Sequence, residues 1–111
     1  MPTPQLYTYF KDFTTDNLGR IIVAGPLKLE AYSKVNVQIM QFPQVAVSMT
    51  VNCSMGRITP PSLSQYVEQF PLTSSDPPIH TYDVIGPEFM LLLTGGPPNT
   101  TVPIQAWIFI H

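Results

Sequence analysis

Few residues of this chain are equipped for chemistry. Its 111 residues include two histidines, His80 and His111, one cysteine, Cys53, and seven Asp or Glu. Zinc takes three or four ligands from His, Cys or carboxylate. Near His80 the sequence offers Asp76 and Asp83, but on a strand Asp83 faces away from His80 and Tyr82. Cys53 and His80 could meet across a sandwich, yet Cys53 lies in an alternating apolar pattern that reads as a buried free thiol, and nothing marks it as activated. Paired carboxylates for glycoside chemistry must flank a cleft. The candidates are Glu68, Asp76, Asp83 and Glu88, and Glu88 follows Pro87 at a strand start, an ordinary solvated position. Gly95-Gly96-Pro97-Pro98 lacks the lysine and following helix of a phosphate loop, and no alternating Asp or Asn marks a calcium loop. The expectation is no enzyme, no cofactor and no metal.

Composition narrows the classes further. Charged residues make up 11% of the chain, against about 25% in an ordinary soluble domain. Thirteen prolines are more than twice the usual share. Five basic residues and a net charge of -2 supply no basic patch for nucleic acid. A hydrophobic content of 44% excludes disorder, and one cysteine excludes a disulfide scaffold. No signal peptide is read at the start of the chain, and the longest strictly apolar runs, Phe89 to Leu93 and Ala106 to Ile110, are too short to span a membrane. Asn52-Cys53-Ser54 and Asn99-Thr100-Thr101 match the glycosylation pattern, which is short, often met by chance and set aside without an export signal.

The elements that must position these residues read as strands. From Val45 to Met55 the odd positions Val45, Val47, Met49, Val51, Cys53 and Met55 are apolar, and Ala46, Ser48, Thr50, Asn52 and Ser54 fill the other face. Period two of this kind marks a strand with one buried side. Tyr32 to Phe42 repeats the pattern with Val35, Val37 and Ile39 inward, and Pro43 between the two suggests a hairpin. Shorter strands are expected at Leu6 to Phe10, Arg20 to Ala24, Leu27 to Glu30, Gln65 to Phe70, Ile79 to Ile85, Phe89 to Leu93 and Val102 to Ile110. Thr59-Pro60-Pro61, Ser74 to Pro78 and Gly95 to Pro98 read as loops, whose prolines keep neighbouring segments out of the sheet. About eight strands with Pro and Gly between them predict an all-β fold, a single antiparallel β-sandwich with jelly-roll-like connections.

Two segments stand out. In Val102 to Ile110 one face is Val102, Ile104, Ala106, Ile108 and Ile110, which suits the core. The other face holds Pro103, Gln105, Trp107 and Phe109, where a solvated strand would be polar. Trp107 and Phe109 therefore need cover, from the same chain, from a neighbouring subunit or from a ligand stacked on the rings. The N-terminus carries Leu6, Tyr7, Tyr9, Phe10 and Phe13 behind Pro2 and Pro4. Residues 1–13 read as an extended arm before a sandwich domain of residues 14–111. Such an arm can join its own sheet or add a strand to a neighbour. Charge is uneven too: seven of the twelve charged residues fall between Lys11 and Lys34, and Val35 to Gly56 and Phe89 to His111 hold none.

The block Thr14-Thr15-Asp16-Asn17-Leu18-Gly19-Arg20-Ile21-Ile22-Val23-Ala24-Gly25, followed by the Val-alternating segments and the aromatic last strand, resembles small β-sandwich proteins of spore-forming Firmicutes. In particular, it resembles the jelly-roll subunits of endospore appendages. The resemblance implies an N-terminal connector that docks into a neighbouring subunit and units that stack into a helical fibre. The better-known subunits crosslink through cysteines in the connector. This chain has none before Cys53, so the resemblance implies non-covalent joints here.

The leading expectation is thus a self-assembling subunit of an extracellular or spore-surface fibre. Its partners are other copies of the chain in a helical homopolymer, with an anchor or tip protein at an end, and neither nucleic acid nor an inserted membrane. Leu6, Tyr7, Tyr9, Phe10 and Phe13 are the expected anchors, and Trp107 and Phe109 the accepting surface. The alternative is a carbohydrate- or receptor-binding sandwich, as in an adhesin or phage module, using Trp107, Tyr66, Tyr82 and His80.

Overall fold

The computed structural model describes residues 3–42, 47–56 and 65–111, the side chains of residues 65 and 66 excepted. The described chain forms eight strands in two antiparallel four-stranded sheets. They are β1 (Gln5–Thr14), β2 (Ile21–Lys28), β3 (Lys34–Gln41), β4 (Thr50–Gly56), β5 (Gln65–Pro71), β6 (His80–Asp83), β7 (Glu88–Thr94) and β8 (Thr101–Ile110). Sheet A has the order β1-β8-β3-β6, and sheet B the order β2-β7-β4-β5. This is the eight-stranded, two-sheet jelly roll that the strand count and spacing predict. Among the described residues no helix is long and apolar enough to cross a membrane.

Period two decides what lies between the sheets. Val35, Val37 and Ile39 of β3, Val51, Cys53 and Met55 of β4, Phe89, Leu91 and Leu93 of β7, and the five even-numbered residues Val102 to Ile110 of β8 are all buried in one core. Each large side chain buried there is worth about 1.5–3 kcal/mol, so the alternation fixes which way every strand faces.

The alternation does not fix which strands pair. The expected hairpin between β3 and β4 does not form. β3 pairs with β6 and β8 in sheet A, and β4 pairs with β5 and β7 in sheet B. The chain crosses between the sheets there instead of turning back. The Gln41 side chain anchors the crossing: its Nε2 donates to Val47 O (2.7 Å), and Val47 N–H donates to its Oε1 (2.8 Å). β4 begins at Thr50, later than expected, and Val47 is not part of it. The expected strand start at Val45, the turn at Pro43 and the loop Thr59-Pro60-Pro61 lie outside the described residues.

Other expectations are corrected in detail. The segments expected at Arg20 to Ala24 and Leu27 to Glu30 merge into one strand, β2, over Ile21–Lys28, broken by register shifts on either side of Ala24 and carrying a cis Gly25–Pro26 peptide. Gly25 has φ +116°, and a Cβ there would lie 2.6 Å from Phe89 O, so glycine is required. The second face of β4 is not solvated, because Asn52 and Ser54 are fully buried. Burial of Asn52 is tolerable because its Nδ2 donates to Leu92 O (3.1 Å) and Thr94 Oγ1 (3.0 Å), while its Oδ1 accepts from Gln69 Nε2. Glu88 is likewise buried, 3.7 Å from Lys28 Nζ, because its strand is central in sheet B and flanked by two others. β1 extends through Thr14, across the boundary drawn at residue 13, and pairs with β8 without a shift from Gln5↔Ile110 to Thr14↔Thr101.

Candidate functional site

Two places gather the residues singled out above. The first is the β1 side of sheet A. In the β1–β8 register Leu6 lies opposite Phe109, Thr8 opposite Trp107 and Phe10 opposite Gln105. Paired residues share a face, so Leu6, Phe10, Trp107 and Phe109 lie together on the outer face of sheet A. Tyr7, Tyr9 and Phe13 point the other way and pack, half-buried, against the core. The seven expected contact residues are therefore split between two faces.

The outer face is apolar and only partly covered. Phe10 meets Trp107 edge to face, with centroids 5.1 Å apart and planes at 74°. Phe109 stacks on His111 at 4.8 Å. Leu6 and Phe10 stay 61% and 56% exposed, and Ile79 across the sheet 64%. Between them runs a groove of about 180 Å³ lined by Leu6, Asn36, Gln38, Ile79, Trp107 and Phe109.

The edges of the sheets differ in kind. β2 carries Pro26 and two register shifts. β5 is interrupted opposite Cys53/Ser54 and ends at Pro71. β6 is four residues long and follows Pro77 and Pro78. Proline, bulges and shortness are the usual means of blunting an edge. β1 has none of them. It is a ten-residue edge strand with no proline and an unbroken register.

The second place is the opposite rim, where β5 of sheet B faces β6 of sheet A. Glu68 lies opposite Cys53, so it points inward. Its Oε1 accepts from the Tyr82 hydroxyl (2.5 Å) and lies 2.9 Å from His80 Nδ1. Phe70, next inward on β5, stacks on the His80 ring at 3.8 Å and 9°. The Tyr82 hydroxyl, with help from His80, holds the Glu68 carboxyl below its usual range. Burial, then the bond to Glu68, pushes the Tyr82 hydroxyl up. Burial pushes the Cys53 thiol up to about 12, against a lowering contact from Tyr82.

This arrangement is a clasp between the sheets and not a nucleophile with its base. Cys53 and His80 do come to the same rim, but the histidine is directed at Glu68. The thiol, fully buried and neutral, has no reason to ionise. Among the described residues no group of three or more His, Cys, Asp or Glu is placed to hold a metal. Asp83 faces away from the clasp, as expected, and pairs with Lys34. Nor does one surface carry the alternative ligand set: Trp107 is on the outer face of sheet A, His80 and Tyr82 are on its inner face, and the Tyr66 side chain lies outside the described residues. Sequence reasoning missed the role of Glu68. The available signal was that Glu68 and His80 both occupy inward positions in strands whose other inward residues are apolar or aromatic.

No protein-family model matches the sequence, and neither does any curated protein. The fold is similar to that of a solved structure from Bacillus endospore appendages, described as a novel family of disulfide-linked pili. The TM-score is 0.62, over 98% of this chain and 88% of that one, at 9% identity. At that identity the likeness is one of fold alone.

Proposed function

We propose that this chain is a structural subunit of an extracellular or spore-surface fibre, and that copies join non-covalently through the N-terminal segment, residues 1–13, docking into a neighbour. The observation that carries this reading is the β1 edge, a long unblunted strand beside an exposed apolar face. Strand addition at such an edge gains main-chain hydrogen bonds, and the side chains set register. Leu6 and Phe10, 61% and 56% exposed, would each contribute about 1–2 kcal/mol on being covered. A head-to-tail contact that does not close gives an open filament. The pilus fold of the solved structure agrees in kind.

The test is negative-stain electron microscopy of the intact chain and of a Leu6→Lys/Phe10→Lys variant. The two lysines occupy exposed positions, so the variant should keep its circular dichroism spectrum. Filaments of the intact chain that vanish in the folded variant are the expected result. A monodisperse intact chain at high concentration would overturn the proposal. The second reading, glycan binding, is favoured only by the groove that sets the Asn36 and Gln38 amides beside Trp107. Glycan-array signal lost in a folded Trp107→Ala variant would support it.

A further inference from the structure

One side of β1 is occupied by β8, and among the described residues no strand pairs with the other. The main-chain donors and acceptors on that open side form a full ladder only against a strand of similar length and regularity. The remaining edges do not qualify. β2 is broken by two register shifts and carries Pro26, β5 is interrupted opposite Cys53/Ser54, and β6 has four residues. Of the edges this fold presents, the one that matches β1 is β1 itself.

The sequence of β1 also fits its own copy. In an antiparallel pair with a two-fold axis at Thr8, Leu6 lies opposite the partner's Phe10, Tyr7 opposite the partner's Tyr9, and Thr8 opposite the partner's Thr8. Opposed residues share a face. On the outer face the exposed Leu6, in line with Phe109, is covered by the partner's Phe10, and the same contact repeats across the axis. On the inner face the half-buried Tyr7 and Tyr9 each gain an aromatic cross-strand neighbour. A shift of two residues, the smallest that keeps the faces, sets Leu6 opposite the partner's Thr8 or the partner's Asp12 instead. Charge agrees with the first register. Lys11 faces the partner's Gln5, Asp12 lies past the ladder beside the partner's Pro4, and no charged side chain faces another. Pro4, with no N–H to donate, ends the ladder.

We infer that the partner of β1 is β1 of a second copy, paired antiparallel about Thr8, so that two four-stranded sheets join into one of eight strands. The inference rests on the reading of β1 as the joint and goes past it: such a joint closes on itself, and the dimer is the unit that a filament repeats. The test is disulfide trapping in the full chain. Opposed residues of a ladder have Cα atoms about 4.5–5.5 Å apart, within disulfide reach, and Cys53, being buried, does not compete. Thr8→Cys, at an exposed position, oxidises to a covalent dimer about tenfold or more faster than Leu18→Cys, an exposed thiol on the turn before β2. Leu6→Cys and Phe10→Cys each stay uncrosslinked alone and crosslink when mixed, because the mixed pair keeps its other Leu6–Phe10 contact. Trapping of Thr8→Cys no faster than Leu18→Cys, or of Leu6→Cys alone as fast as in the mixture, overturns the inference. Filaments of the intact chain without the Thr8→Cys crosslink overturn self-pairing and leave head-to-tail docking standing. Trapped dimers of a chain that forms no filaments support self-pairing and overturn the fibre.

Discussion

Glu68 is the residue on which the β5–β6 rim turns, because one carboxylate oxygen serves both His80 and Tyr82. Its folded-state pKa is lowered. The sign is therefore that of a carboxylate favoured in the fold: its contribution is present above the unfolded value, near 4.3, and disappears as pH falls through the folded value. The side chain is 42% exposed, so solvent screening keeps the effect small, at about 1 kcal/mol or less. Thermal unfolding followed from pH 7 down to pH 3 should show a midpoint that drops on acidification, and Glu68→Gln should flatten that part of the profile. At Cys53 the expectation is inertness. A buried thiol with its pKa pushed up to about 12 should resist iodoacetamide in the native protein. Mass spectrometry should find alkylation only at the rate of unfolding; rapid labelling under native conditions would contradict the fold.

Among the elements, β2 makes the sharpest demand on sequence. Gly25→Ala puts a methyl group against Phe89 O at a φ that L side chains rarely adopt. The loss should be about 2 kcal/mol or more, measured as a lowered midpoint in urea. Elements were also where legibility divided. Inward faces were readable in β3 and β8 because Val35, Val37, Ile39 and the even residues of β8 alternate without a break. Pairing was not readable, because a jelly roll joins strands distant in sequence: β1 meets β8, and β2 meets β7. A proline between two alternating segments looks the same whether the chain turns back or changes sheets, so the β3–β4 hairpin was a reasonable and mistaken reading. The burial of Asn52 escaped notice for a related reason. Its cover and its partners, Leu92, Thr94 and Gln69, come from neighbouring strands that local pattern does not identify. The Glu68–His80–Tyr82 clasp likewise joins two sheets, and only its inward parity was visible in advance.

For the whole molecule, the distribution of charge and of cysteine sets how an assembly should behave. The β8 face is free of charge, and the only cysteine is buried in the core. If filaments form through apolar faces and main-chain bonds, they should persist in excess dithiothreitol and at high salt. The turbidity and the appearance of the filaments in micrographs would be unchanged. Dissolution by reductant would point to an intermolecular disulfide, and dissolution by salt alone to ion pairs of the exposed Lys11 and Asp12 of β1.

One geometric fact governs how such a protein can be handled. The first and last strands run side by side, and the loop before β3 holds both: Tyr32 OH donates to Thr3 O (2.7 Å), and the Ser33 and Lys34 amides donate to His111 O (2.9 and 2.8 Å). Both ends of the described chain thus emerge at one rim, next to the β1 edge. A fluorescent protein, an enzyme or an affinity tag fused at either end is delivered to that same spot, and two fused together would compete for it. Where cargo and growth need the same rim, the exposed turn at residues 17–18, joined to the far end of β1, is the better place to carry a passenger.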